Sequence, residues 1–121
     1  MKFKIDTKEK MHVITIEEPE LAANMTGELR KTLLPFRTAS VKNLVVSLEK
    51  VIKVDESSAE LLINIQQAFY DANNSLVFCN LQPRVEKFLE EKELLELMNV
   101  TPTESEAWDI VQMEEIEREF L

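Results

Sequence analysis

Glycine, histidine and cysteine are nearly missing from this sequence, which has one residue of each among 121. A single glycine leaves no room for a glycine-rich loop of the kind that cradles phosphate groups. One cysteine and one histidine cannot assemble a zinc site, and a lone cysteine cannot close an intramolecular disulfide. We therefore predict no metal and no cofactor.

Long apolar runs are also missing, since none exceeds four residues, whereas a membrane-spanning helix needs about 20. The first residues have no apolar core of the kind found in secretory signals.

Basic residues are scarce too, with 14 against 23 acidic ones and a net charge of −9. This balance opposes binding to nucleic acids and to anionic membranes. We predict a cytoplasmic protein whose acidic surface is either simply solvated or suited to a basic protein partner.

Strand-like and helix-like patterns alternate along the chain. Residues 3–7 and 11–16 have the pattern of two strands of a hairpin. Apolar, β-branched runs at 44–48 and 76–81 predict strands that are buried on both faces, adjacent and central. Helical spacing predicts helices at about 24–34 and 57–73, another from Pro83, and a last one after Thr103. A short strand is predicted at 97–100.

These elements predict one α/β domain over residues 1–121. Its mixed sheet should have four to five strands, covered by about four helices. Polar residues at the helix starts indicate the caps. Asn24 is expected to cap the first helix. The spacing of Ser57 and Glu60 is that of a capping box for the second, with Asp55 as the alternative cap. Thr103 and Glu106 repeat that spacing before the last helix.

Residue patterns that support catalysis are not found. The sequence has no nucleophile elbow and no metal-binding pair of histidines or cysteines. His12 has no acid–base partner at a recognisable spacing, and Cys79, inside the second apolar run, is expected to be a buried small hydrophobe. We therefore predict that the chain is not an enzyme.

The most specific pattern is Val-Asp-Glu-Ser-Ser-Ala-Glu-Leu-Leu at residues 54–62. It resembles the signature of STAS domains, in which Asp-Ser-Ser-Gly joins the third strand to the second helix. Asp55 matches the aspartate and Ser57 the second serine, while Glu56 replaces the first serine and Ser58 the glycine. In the anti-sigma-factor antagonists of this family a partner kinase phosphorylates the second serine. The resemblance therefore implies Ser57 as a phosphoacceptor.

The order of the predicted elements is similar to that of the same family over most of the chain. The resemblance implies a STAS fold and a protein partner, namely an anti-sigma factor that doubles as a serine kinase. Asp55, Glu56, Ser58 and Asn24 would then form the switch and docking surface around Ser57. Two alternatives remain open: a constitutive scaffold subunit without a phospho-switch, and a small-ligand or nucleotide binder. The oligomeric state is not predicted.

Overall fold

A mixed β-sheet with helices on both faces is the framework of the protein in the computed structural model, which describes residues 1–120. The strands are β1 (Phe3–Thr7), β2 (Met11–Ile16), β3 (Glu20–Leu21), β4 (Asn43–Ser47), β5 (Lys53–Val54), β6 (Leu76–Cys79) and β7 (Val100–Thr101). The α-helices are α1 (Thr26–Leu33), α2 (Glu56–Asp71), α3 (Pro83–Glu91) and α4 (Glu104–Glu119). Short 3-10 turns lie at Ala23–Met25, Leu34–Thr38 and Leu95–Leu97.

The five-stranded sheet has the order β1-β2-β4-β6-β7. β1 and β2 form the predicted antiparallel hairpin, and all other neighbours in this sheet are parallel. β4 and β6 lie side by side, with Val46 opposite Phe78. The two apolar runs are therefore adjacent central strands, as predicted, because the helix between them provides a crossover. The α/β fold class is confirmed.

Alternate residues of the central strands pack into two separate apolar layers. Leu44 and Val46 of β4 belong to the larger layer, which includes residues of α1, α2 and α3. Val45 belongs to the smaller layer, which includes Ala107 and Val111 of α4. Three helices thus cover one face of the sheet, and α4 covers the other.

A second, two-stranded parallel sheet was not predicted. It pairs β3 with β5, Leu21 lying opposite Val54. The carbonyl of Pro19 strengthens this join by accepting from the amides of Ile52 and Lys53. Strands of two residues carry no alternation that a sequence pattern could reveal. This small sheet brings the segment before α1 beside the start of α2.

Most helix boundaries agree with the sequence, and the exceptions have local causes. Thr103 caps α4 by accepting from the amide of Glu106 at 3.2 Å, as predicted. The cap predicted at Asn24 is wrong, because a 3-10 turn precedes α1 and neither element has a side-chain cap. The predicted strand at 97–100 begins only at Val100, since Leu95–Leu97 forms another 3-10 turn.

We expect the thiol of Cys79 to be inert in the native protein. Its side chain is fully buried in β6, and burial, with the charge of Glu104, raises its pKa to about 12. Reaction needs an accessible thiolate. An aromatic disulfide reagent at pH 8 should therefore label Cys79 rapidly in urea-unfolded protein. In native protein, the rate of labelling should be limited by the rate of the unfolding that exposes Cys79. Equal labelling rates in the two states would contradict this burial, and Cys79→Ala provides the blank.

Candidate functional site

The turn between β5 and α2 positions the predicted switch residues. Asp55 has an extended backbone (φ −93°, ψ 170°) and directly precedes the helix. Its Oδ1 atom accepts from the backbone amide of Ser58 at 2.8 Å, so Asp55 is the cap of α2. The prediction that Ser57 caps this helix is wrong. Asp55 is the last residue before the helix, and its carboxylate already accepts from the amide of the third helical residue. Ser57 lies inside the first turn and cannot act as the cap.

The second carboxylate oxygen of Asp55 reaches another segment. Oδ2 accepts from the amide of Ala23 at 2.7 Å, and the amide of Asp55 donates to the carbonyl of Leu21 at 3.0 Å. One residue thus joins the start of α2 to the 3-10 turn that carries Asn24. Asn24 is exposed on this turn, which packs against α2.

These contacts keep Asp55 ionised. Burial disfavours its negative charge, but hydrogen bonds from the amides of Ser58 and Ala23 outweigh that effect and hold its pKa below the usual range. The hydroxyl of Ser58 also favours the carboxylate by its proximity, although its geometry falls short of a hydrogen bond. The charge also interacts favourably with the positive end of the helix dipole.

The two serines of the motif occupy opposite environments. Ser57 is exposed on the first turn of α2, between the exposed side chains of Glu56 and Glu60. Ser58 is 0% exposed, and its hydroxyl has no hydrogen-bond partner within residues 1–120. Ser58 therefore cannot touch a docked protein in this conformation, which corrects its place in the predicted docking surface. Only Ser57 offers an accessible hydroxyl.

The start of α2 retains free backbone donors. The amide of Ser58 donates to the carboxylate of Asp55, and the amide of Ala59 donates to its carbonyl at 3.1 Å. The amides of Glu56 and Ser57 find no acceptor within the described chain. Free amides at a helix start favour a negative group, whereas the carboxylates of Glu56 and Glu60 oppose one. The site thus presents a hydroxyl to a partner in a mixed electrostatic setting.

Two other kinds of site were sought in residues 1–120. No group of three or more histidine, cysteine, aspartate or glutamate side chains is arranged to hold a metal ion there. No helix in the same range is long and apolar enough to cross a membrane.

Comparison with known families agrees with this geometry. A sequence model described as the STAS domain matches residues 2–107. The match covers most of the chain, and the protein belongs to the STAS domain family. No curated protein sequence matches it significantly.

Several solved structures of anti-sigma-factor antagonists are similar in fold. The antagonist from Planctomyces limnophilus is 16% identical with a TM-score of 0.74, over 91% of this chain and 97% of that one. A serine-to-glutamate form of RsbS from Moorella thermoacetica is 22% identical (TM-score 0.73; 93% and 96% covered). Phosphorylated SpoIIAA from Bacillus is 20% identical (TM-score 0.63; 91% and 99% covered). At such identities the likeness shows the fold alone.

Sequence reasoning did not identify the main contact of the candidate site. Asp55 was expected on the docking surface and only as the alternative to Ser57 for the cap of α2. Its position three residues before Ser58 is the spacing of an aspartate cap, a signal that the sequence did offer. The amide of Ala23 could not be identified as a partner, because it comes from a segment 32 residues away.

The cap that Asp55 provides for α2 predicts how three substitutions change stability. Asp55→Ala should lower the free energy of unfolding by about 1–2 kcal/mol, because it removes the cap. Asp55→Asn should cost less, since an amide oxygen still accepts from Ser58 while the amide nitrogen cannot accept from Ala23. Ser57→Ala, at an exposed site away from the cap, should change stability by no more than about 0.5 kcal/mol. Urea melts of the three variants measure the order, and a Ser57→Ala loss equal to that of Asp55→Ala would return the cap to Ser57.

The depressed pKa of Asp55 also predicts a pH dependence. Because the folded-state pKa lies below the unfolded-state value of about 3.9, the stabilisation is complete above that value. It is lost as the pH falls through the folded-state pKa. The stability difference between the wild type and Asp55→Asn should therefore be constant near neutrality and shrink in acid. A difference that stays constant down to pH 2 would contradict a folded-state pKa of Asp55 below the unfolded-state value.

Proposed function

We propose that this protein is a non-catalytic docking module of the anti-sigma-factor-antagonist type, regulated by phosphorylation of Ser57. The observation that carries the proposal is the contrast between the two motif serines, since Ser57 is exposed and Ser58 is buried. The family's phosphoacceptor position thus coincides with the accessible hydroxyl. A similar fold occurs in SpoIIAA in its phosphorylated form.

The partner would be an anti-sigma factor that is also a serine kinase. It would supply ATP, Mg²⁺ and the base that takes the proton of the Ser57 hydroxyl. This chain would contribute the acceptor oxygen, held on the rigid first turn of α2. Such a partner would act on the whole chain, residues 1–121, as one STAS domain in the cytoplasm.

The docking surface would consist of Asp55, Glu56, Ser57 and Asn24. Asp55 holds the two segments of this surface together, so a partner meets a preformed shape. A phosphoryl group adds about −1.5 to −2 charges beside Glu56 and Glu60. The added charge and bulk disturb the fit of a partner that docks on the unmodified serine, so phosphorylation should release the partner or exclude it.

A second candidate is a constitutive scaffold with the same docking surface and no switch. The observation in its favour is Glu56, which puts a carboxylate where the family motif has a serine. A permanent negative charge next to Ser57 already resembles the modified state in part. Phosphorylation would then produce a smaller difference in partner affinity between the unmodified and the phosphorylated protein.

The switch predicts opposite behaviour for two substitutions. Ser57→Asp should weaken capture of the native partner by at least about tenfold, the effect of roughly 1.4 kcal/mol of repulsion. Ser57→Ala should retain binding and resist labelling by the partner kinase. Because Asp55 provides the cap, neither substitution should perturb the fold. Partner affinity measured by calorimetry and phosphate mapping by mass spectrometry test both expectations.

Ser105 is a matched control for this experiment. It is exposed at the second position of α4, follows Glu104, and lies behind a capped helix start as Ser57 does. It belongs to the helix on the other face of the sheet. Ser105→Asp should therefore leave partner affinity unchanged. Equal binding by the Asp and Ala variants at position 57, with no phosphate there in native protein, would support the scaffold instead.

A further inference from the structure

The last helix has apolar residues on the side that faces away from the sheet. Its inner side packs Ala107 and Val111 into the smaller apolar layer. On the opposite side, Met113, Ile116 and Phe120 are 50%, 53% and 83% exposed. Their spacing places the three side chains on one face of the helix; they are called the outer stripe below. A contiguous exposed stripe of this kind is characteristic of a helix-docking surface.

The exposed charges that α4 itself places along the outer stripe all have one sign. Exposed acidic residues lie along the same helix, at Glu106, Asp109, Glu117 and Glu119. The one basic residue of α4 is turned away from them, because Arg118 donates to the Ser75 hydroxyl at 2.7 Å and pairs with Glu115 at 3.7 Å. No cation of α4 itself is left to balance the exposed acids.

We propose that the outer stripe docks a basic amphipathic helix of a protein partner. Apolar side chains of that helix would cover Met113, Ile116 and Phe120, and its lysines or arginines would pair with the flanking carboxylates, as in the charged rims of helix pairs. A second copy of this chain fits poorly, since a two-fold contact would oppose one acidic rim to another. Anionic membranes are repelled for the same reason.

This surface is separate from the proposed switch. The outer stripe lies beyond residue 107, where the family match ends, and α4 covers the sheet face opposite to α2. A partner could therefore occupy the outer stripe whether or not Ser57 is modified. The two proposals can fail independently.

A designed peptide tests the docking proposal directly. The probe is a fluorescent peptide of about 18 residues, long enough to form a helix on binding, with leucines at helical spacing and lysines elsewhere. It should bind the full chain, shift amide NMR signals of α4 rather than α2, and bind more weakly as salt is raised. A peptide with glutamates in place of the lysines should not bind. Neither should the same leucines and lysines in an order without helical spacing.

Variants on the protein identify the surface that binds. Replacing Met113, Ile116 and Phe120 together with glutamine should lower peptide affinity by at least about tenfold and leave the melting temperature unchanged, since all three are exposed. Phe3→Gln with Ile5→Gln is the matched control, because these residues are also exposed apolar side chains, on β1.

The proposal is overturned if the peptide does not bind, or if the outer-stripe variant binds it as well as the wild type does. It is also overturned if sedimentation shows a dimer that the outer-stripe substitutions dissolve, since a second copy would then be the occupant. Preferential binding of the glutamate peptide would refute the charge argument.

Discussion

The carboxylate of Asp55 is the contact on which the geometry of the candidate site depends. It accepts from the backbone amides of Ser58 and of Ala23, which lies 32 residues before Asp55, and each amide would otherwise need another acceptor or water. Because Asp55 performs the capping, the hydroxyl of Ser57 is not used inside the fold. Capping and phosphate acceptance would compete if one hydroxyl served both. With the cap on Asp55, the Ser57 hydroxyl stays accessible without weakening α2.

The other end of α2 is fixed by a polar network of its own. Glu114 of α4 accepts from the hydroxyls of Tyr70 at 2.7 Å and Ser75 at 2.6 Å. Asn99 donates to the Tyr70 oxygen at 2.8 Å. Burial, reinforced by Glu114, raises the pKa of Tyr70 far above its usual range, so it remains a donor. A network with these partners in place favours one arrangement of its members. α2 is therefore connected to α4 around the sheet, although the two helices cover opposite faces.

How far the sequence predicted the structure depends on the range of each interaction. The hairpin and central strands followed from alternation and apolar runs, although the alternation in β1 did not indicate burial, since all five residues of that strand are exposed. The two capping-box patterns show where this reasoning stops. At Thr103 it succeeded, because the hydroxyl of Thr101, two residues earlier in β7, donates to the carbonyl of Thr103 instead. At Ser57 it failed, because Asp55 lies two residues earlier and is free to cap. The same local pattern thus has two outcomes, decided by tertiary context.

The two-residue strands β3 and β5 were missed for the same reason, because their pairing depends on contacts between distant segments of the chain. No period exists in two residues, yet their pairing brings the amide of Ala23 within reach of Asp55. The family motif indicated a candidate site where residue patterns alone indicated only a helix start. It did not indicate that Ser58, in the place of glycine, would be fully buried. Contacts between distant segments decide such features, and only the folded chain shows them.

The burial of Ser58 explains how the motif tolerates the loss of its glycine. Ser58 lies within the first turn of α2, so its backbone is helical and does not need the freedom of glycine. The added side chain projects inward, and its hydroxyl is left without a hydrogen-bond partner in the described structure. A buried polar group in this state costs about 1–3 kcal/mol. The amide of the same residue forms the capping bond to Asp55, which offsets part of that cost. The substitution therefore changes the interior of the site and leaves its exposed surface, where Ser57 lies, unaltered.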